Sequence, residues 1–254
     1  MMSFATVFAD VSLLQLASVA AVAMLASIIG GMAGYGTGVL MPLVLVPIIG
    51  AEPVVPIISI SAMFTNSSRV LAFRKHVEPR NVLIVLAAAI PTCVLGAYGY
   101  TRLTNRGALV VIGTMLTLSV PLRRLLARRT GHLGPAGLAL GASGFGLLAG
   151  GTAGAGIVLL SILMAAGLQG AAVVATDAAV SIVIGIVKIA VFGFTGVITP
   201  QVIAFALLIG LVALPGAFVA KAIIERMPVR LHTALLDAVV LLGGGFMILG
   251  ALRG

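Results

Sequence analysis

The feature that most limits how this chain can fold is a series of long apolar runs with very little charge between them. No Asp, Glu, Lys or Arg occurs from Val11 to Ala51. A helix of about 20 apolar residues crosses the roughly 30 Å hydrocarbon core of a bilayer. Of the 254 residues, 61% are hydrophobic and only 8% are charged, too few charges to cover a soluble domain. The pattern predicts an all-α, polytopic membrane protein.

The basic residues and the single cysteine exclude several other classes of protein. The formal charge of +9 comes from short basic clusters between apolar runs. Such clusters are typical of the cytoplasmic loops of inner-membrane proteins and not of a nucleic-acid-binding face. Cys93 is the only cysteine, and the three histidines have no metal-ligand spacing. We therefore expect no metal, no cofactor, no nucleic-acid partner and no enzymatic activity.

Gly, Pro and charged residues divide the chain into ten apolar segments. The N-terminal repeat, residues 1–126, contains segments 11–33, 36–49, 54–73, 81–101 and 107–126. The C-terminal repeat, residues 133–254, contains segments 133–150, 156–168, 171–194, 200–221 and 230–252. Residues 127–132 join them as a basic cytoplasmic linker. Segments 36–49 and 156–168 are only about 20 Å long as helices, so we expect each to be a half-length or re-entrant helix.

The two parts of the chain share a spaced pattern of residues that indicates duplication. Both short segments follow a glycine cluster, and Gly36 and Gly38 are matched by Gly154 and Gly156. The other matches are Arg69 with Lys188, Gly96 with Gly216 and Arg106 with Arg226, at separations that drift only from 118 to 120 residues. So steady a separation is a property of repeats.

The positions of the basic residues predict that the two repeats are inverted. An odd number of segments per repeat inserts the second repeat in the opposite sense to the first. With the linker in the cytoplasm, ten Lys and Arg lie inside and three outside, as the positive-inside rule requires. A competing count of eight spans and a parallel repeat would place the basic loop 221–230 outside. We therefore expect two inverted five-segment repeats.

The paired glycine clusters are candidates for a binding site. Glycine-interrupted segments at corresponding positions of inverted repeats are typical of a transporter site near the bilayer midplane. A helix that begins inside the membrane presents unpaired N–H groups and a partial positive charge, which suit an anion. The candidates in the clusters are Gly34, Gly36, Thr37, Gly38, Thr152, Gly154 and Gly156. Close packing of helices through small residues is the alternative interpretation.

Charged side chains within the apolar segments are the other candidates, because a charge in the bilayer is costly. Arg69 and Lys188 occupy equivalent positions, and both could face a central site; the alternative for Arg69 is that its head group reaches the nearby basic loop. Asp177 and Ser181 share a helix face with Lys188, and Asn66 belongs to the matching face of the first repeat. Asp177 could carry a proton, because burial disfavours its charged form. A position at the membrane edge is the alternative for Asp177.

Three short motifs give the chain a family resemblance. The segment from Gly34 to Leu43 reads GYGTGVLMPL, with Thr37 in place of the middle glycine, and it resembles the glycine-triplet motif of the sulfite exporter TauE/SafE family of membrane permeases. Segment 65–69, reading TNSSR, and the glycine cluster 150–156 extend the resemblance over essentially the whole chain. In the second repeat, Leu160-Ser161 stands where Pro-Leu is usual. The resemblance implies outward transport of sulfite, an organosulfonate or a related sulfur oxyanion across a bacterial cytoplasmic membrane.

From these observations we expect a secondary transporter that exports a small anion by alternating access, with proton coupling as one option. An anion uptake carrier or a channel is the nearest alternative, and a membrane scaffold or enzyme subunit is more remote. The expected partners are the anionic substrate and the lipid bilayer. A homo-oligomer is compatible with the sequence.

Overall fold

The computed structural model describes residues 11–33, 36–127, 133–216 and 218–220, together with positions 8, 245 and 248–252. Over these residues the protein is helical and contains no β-strand. The helices are α1 (Leu13–Ala33), α2 (Thr37–Ile49), α3 (Val54–Phe73), α4 (Pro79–Tyr100), α5 (Asn105–Ala127), α6 (Pro135–Gly151), α7 (Gly156–Ala165), α8 (Ala171–Phe194) and α9 (Pro200–Ala213), with a short 3-10 helix, Arg74–His76, after α3. Outside the described residues lie Gly34, nearly all of the linker, the basic loop 221–230 and most of segment 230–252.

Several helices begin where the local sequence provides a start. Pro79, Pro135 and Pro200 are the first residues of α4, α6 and α9. Proline suits this position because its ring fixes φ near the helical value and a first-turn N–H has no partner to lose. Thr199 also caps α9, since its Oγ1 accepts a hydrogen bond from the N–H of Val202 at 3.2 Å.

The lengths of the helices confirm a polytopic helical membrane protein. Five described helices are long and apolar enough to cross a bilayer: α1, α3 with its 3-10 extension, α4, α8, and α9 continued to Ala220. By contrast, α2 and α7 have 13 and 10 residues. At about 1.5 Å per residue they are roughly 20 Å and 15 Å long, so neither spans the hydrocarbon core alone.

The helices α6 and α7 form a hairpin in which the start of α6 lies beside the end of α7. The N–H of Leu133, just before α6, donates a hydrogen bond to the carbonyl oxygen of Ala165, the last residue of α7, at 2.8 Å. Between the two helices the chain turns at Gly154, whose φ of +85° lies in the left-handed region that favours glycine. The chain therefore enters the bundle along α6 and returns along α7 to the end where it began.

The contacts between helices occur in matched pairs when α1 to α4 are exchanged with α6 to α9. The pair α4 and α6 corresponds to α9 and α1, and the pair α4 and α8 corresponds to α9 and α3. The pairs α1–α2 and α6–α7 also correspond, as do α2–α3 and α7–α8. At the centre, α3 and α8 pack on each other. Four contacts in one part of the described chain thus have a counterpart in the other part.

Glycines allow some of these helices to approach at backbone distance. A Cβ at Gly96 in α4, or at Gly146 or Gly150 in α6, would overlap a backbone carbonyl of the facing helix. Gly216, the sequence match of Gly96, makes a comparable approach to α1 at Ser27. In a bilayer such packing is a main source of helix association, because lipid tails are as apolar as the side chains.

We predict that Gly146→Ala lowers the free energy of unfolding by about 1–3 kcal/mol, because the new methyl group would overlap the backbone of Ala89 in α4. Gly144→Ala is the matched control: it lies in the same helix, is exposed, and has no atom within 4 Å of the added Cβ. Thermal unfolding of both variants in detergent measures the difference. Equal stability of the two variants would contradict the close approach of α4 and α6.

Candidate transport site

A cavity of about 130 Å3 lies between the central helices α3 and α8. The starts of α2 and α7 and parts of α1 and α6 complete its lining. One buried water needs about 10–15 Å3 of such space, so the cavity has room for a small ion with some of its water.

Eleven of the twelve candidate residues from the sequence line this one cavity, and Gly34 lies outside the described residues. The eleven are Gly36, Thr37, Gly38, Asn66, Arg69, Thr152, Gly154, Gly156, Asp177, Ser181 and Lys188. The sequence analysis did not single out Ser27, Ser59 or Phe145, which also line it. Ser59 lies seven residues before Asn66, two helical turns along the same face of α3, so extending the helical spacing would have found it.

The two glycine clusters meet at the cavity. A Cβ on Gly38 would come within 3.2 Å of the backbone nitrogen of Gly154 and 3.4 Å of its Cα. Because Gly154 has a positive φ, a side chain is disfavoured there by backbone conformation as well as by space. The two residues therefore bring backbone from both parts of the chain to the wall of the same cavity.

Two helices begin at this wall. The backbone N–H groups of Thr37 and Gly38, at the start of α2, and of Gly156, at the start of α7, make no hydrogen bond to any described residue. Each helix start also carries roughly half a positive charge from the aligned peptide dipoles. The cavity thus receives unused donors and positive potential from two directions.

An ion pair crosses the cavity from α3 to α8. Nη1 of Arg69 lies 3.1 Å from Oδ2 of Asp177, and Nη2 of Arg69 donates a hydrogen bond to the side-chain oxygen of Asn66. Asp177 is 1% exposed, so it lies inside the bundle, and its Oδ1 has no hydrogen-bond partner among the described residues. The sequence analysis treated Arg69 as a second cation for the substrate; in the structure its charge is already balanced by Asp177.

Sequence reasoning missed this pair, although a signal for it was present. Arg69 lies near the end of α3, and Asp177 lies near the start of α8. In antiparallel neighbours these positions are at the same depth, so two opposite charges would be expected to meet. The repeat pattern does not indicate this pair, because it matches Arg69 with Lys188 and gives Asp177 no counterpart.

Lys188 differs from Arg69 because none of the described carboxylates forms an ion pair with it. Lys188 is 8% exposed. Within the part of the chain that the structure describes, its ammonium group forms no hydrogen bond and no ion pair. A buried ammonium group without a partner is costly. Lys188 lies about 16 Å along α8 from Asp177, three helical turns, so an internal pair between the two is out of reach.

A comparison with known families identifies the class of protein. The sequence model of the Sulfite exporter TauE/SafE family matches residues 19–247, and the chain belongs to this family. The resemblance inferred from the glycine motif is thereby confirmed. No curated protein and no solved structure matches the chain significantly. Family membership and the five candidate spans make this a multi-pass membrane transporter of the class that carries sulfur anions.

We predict that Asp177→Ala destabilises the protein by about 3–5 kcal/mol, because it leaves the buried guanidinium of Arg69 without its carboxylate. The double variant Arg69→Met with Asp177→Leu removes both charges and should cost less than the single change. Thermal unfolding of the three proteins in detergent compares them. A double variant that is less stable than Asp177→Ala would contradict this account of the pair.

Proposed function

We propose that this protein exports a small sulfur oxyanion, such as sulfite or an organosulfonate, across the bacterial cytoplasmic membrane by alternating access around the cavity between α3 and α8. One observation carries the proposal: Lys188, which has no ion pair among the described residues, lines this cavity together with the starts of two helices. Family membership supports a sulfur anion as the substrate class.

The electrostatics of the cavity favour a bound anion. Oxyanions accept hydrogen bonds through several oxygens, and the amides of Thr37, Gly38 and Gly156 are unused donors at the cavity wall. An anion near Lys188 would supply the missing countercharge. Because the site is enclosed by apolar helices, the attraction is screened less than it would be in water. A bound anion would therefore accept hydrogen bonds from the unused donors and balance the charge of Lys188.

The matched helix contacts support two inverted repeats as the frame of the transporter. In such transporters one repeat rocks against the other while the substrate site stays between them. The short helix α7 returns to the end of the bundle where α6 begins, as a re-entrant hairpin would, and α2 is similarly short. The two half-length helices then place their N-termini near the midplane, where irregular backbone is tolerated because it lines a cavity.

A second cavity lies near the central one along α3. The second cavity, of about 370 Å3, is lined by Pro56 and Tyr100 at the end of the bundle that contains the loop before α9. Ser59, less than one turn further along α3, lines the central cavity. The ring of Tyr100, which lines the second cavity, packs edge-on against buried Phe192 with centroids 6.2 Å apart. This ring contact is a candidate for the closure of the transport path at this end.

Asp177 remains a candidate for proton coupling. Coupling would require that its ion pair with Arg69 breaks when Asp177 is protonated. Protonation of Asp177 would remove the charge that balances Arg69 inside the bundle. The contact between α3 and α8 would weaken at the same time. We therefore assign Asp177 first to balancing Arg69.

We predict that Lys188→Ala abolishes anion flux in proteoliposomes and leaves the fold intact, because it removes the unbalanced positive charge from the cavity. Lys75→Ala is the matched control, since this lysine is exposed in the 3-10 helix and should leave flux unchanged. Flux of sulfite and of an organosulfonate, with a melting curve for each variant, measures the effect. Undiminished flux in a folded Lys188→Ala protein would remove Lys188 from the site.

We predict opposite labelling of two loops in intact cells. In a Cys93→Ser background, a cysteine in place of Thr195 should react with an impermeant maleimide from the outside. A cysteine in place of Lys75 should react only after the membrane is permeabilised, because the basic loop is cytoplasmic. Both positions are exposed, so the protein itself does not shield either cysteine from the maleimide. Labelling of position 195 from the cytoplasm would contradict the inverted arrangement.

A further inference from the structure

We propose that the central cavity selects singly charged anions over doubly charged anions of the same size, and that Asp177 determines this selection. The proposal rests on the proposed function, because it concerns which anions the transport site accepts. It goes further by giving Asp177 a role in specificity without contact to the substrate.

The proposal starts from the charges around the cavity. In the part of the chain that the structure describes, three charged side chains line it: Arg69, Asp177 and Lys188. Arg69 and Asp177 neutralise each other across a distance of 3.1 Å. Lys188 remains, so these side chains give the cavity a net charge of one positive unit. A monoanion would make the occupied site neutral.

A dianion would leave one negative charge uncompensated inside the bundle. Ions lose much of their hydration in such a site, and an excess charge there is costly. The carboxylate of Asp177 adds to this cost, because its Oδ1 has no donor among the described residues and would repel a second negative oxygen. The cavity therefore accepts one negative charge more readily than two.

The helix N-termini do not remove this selection. Peptide dipoles have no net charge, although their positive ends face the cavity. They stabilise any anion, and they can supply hydrogen bonds to monoanions and dianions alike. The net charge is set by the side chains, and Asp177 is the acidic member of that set in the described cavity lining.

Methanesulfonate and sulfate provide a matched pair of probes. Both are tetrahedral and similar in size, and near neutral pH the first carries one negative charge and the second carries two. We expect the purified wild-type protein to bind methanesulfonate at least roughly tenfold more tightly than sulfate. A factor of this size corresponds to the repulsion between two like charges about 10 Å apart at an effective dielectric constant near 20. Titration calorimetry in detergent measures both affinities, and equal or tighter binding of sulfate would overturn the proposal.

Two variants test whether the count of charges is the cause. Asp177→Asn raises the net charge of the three side chains to two positive units, so the preference should shift toward sulfate by roughly tenfold. The double variant Arg69→Gln with Asp177→Asn returns the net charge to one and should restore the wild-type preference. A folded Asp177→Asn protein with the wild-type preference, or a double variant that prefers sulfate, would overturn the proposal.

The result separates this proposal from the one on which it rests. If the wild-type protein binds neither probe and transports no sulfur anion, the proposed function fails. If it binds and transports anions without regard to their charge, only the selection by Asp177 fails. Should Asp177→Asn not fold, the wild-type comparison still tests the preference, and equal or tighter binding of sulfate would still overturn the proposal.

Discussion

A polar group without a partner inside an apolar bundle is the constraint on which this structure depends. A backbone N–H in hydrocarbon costs several kcal/mol if nothing satisfies it. Helices α2 and α7 nevertheless begin within the bundle, and the residues that carry their first amides line one cavity. Glycine makes this possible, because Gly38 and Gly154 let the two turns approach at backbone distance. The donors are thus gathered at one place where an ion can satisfy them.

The same need for a partner applies to the two cations of the cavity lining, Arg69 and Lys188, but only Arg69 has one among the described residues. Arg69 is held by Asp177 and Asn66, which makes it a fixed connection between α3 and α8. Lys188, its partner in the repeat pattern, has no such balance among the described residues. The charges are therefore distributed unequally over helices whose contacts are otherwise matched. Under the proposed function, Arg69 is part of the cavity wall and Lys188 attracts the anion.

The sequence could predict the features that depend on local composition. The apolar runs indicated a polytopic membrane protein, and the glycine motif led to the family, as the five candidate spans and the family match confirm. The helix starts at Pro79, Pro135 and Pro200 also depend only on the local sequence. The pairing of Arg69 with Asp177 was not predicted. It joins residues on different helices, and the spacing within either helix contains no information about which side chains face each other.

The sequence by itself determined that the chain would lie in a membrane as helices, and that two of them would be too short to cross it. Both properties follow from the free energy of placing each stretch of residues in hydrocarbon, which is fixed by composition and length. Only the tertiary structure decided which charges are neutralised and which one remains. That outcome depends on distances of a few ångströms between α3 and α8, and helix packing sets those distances.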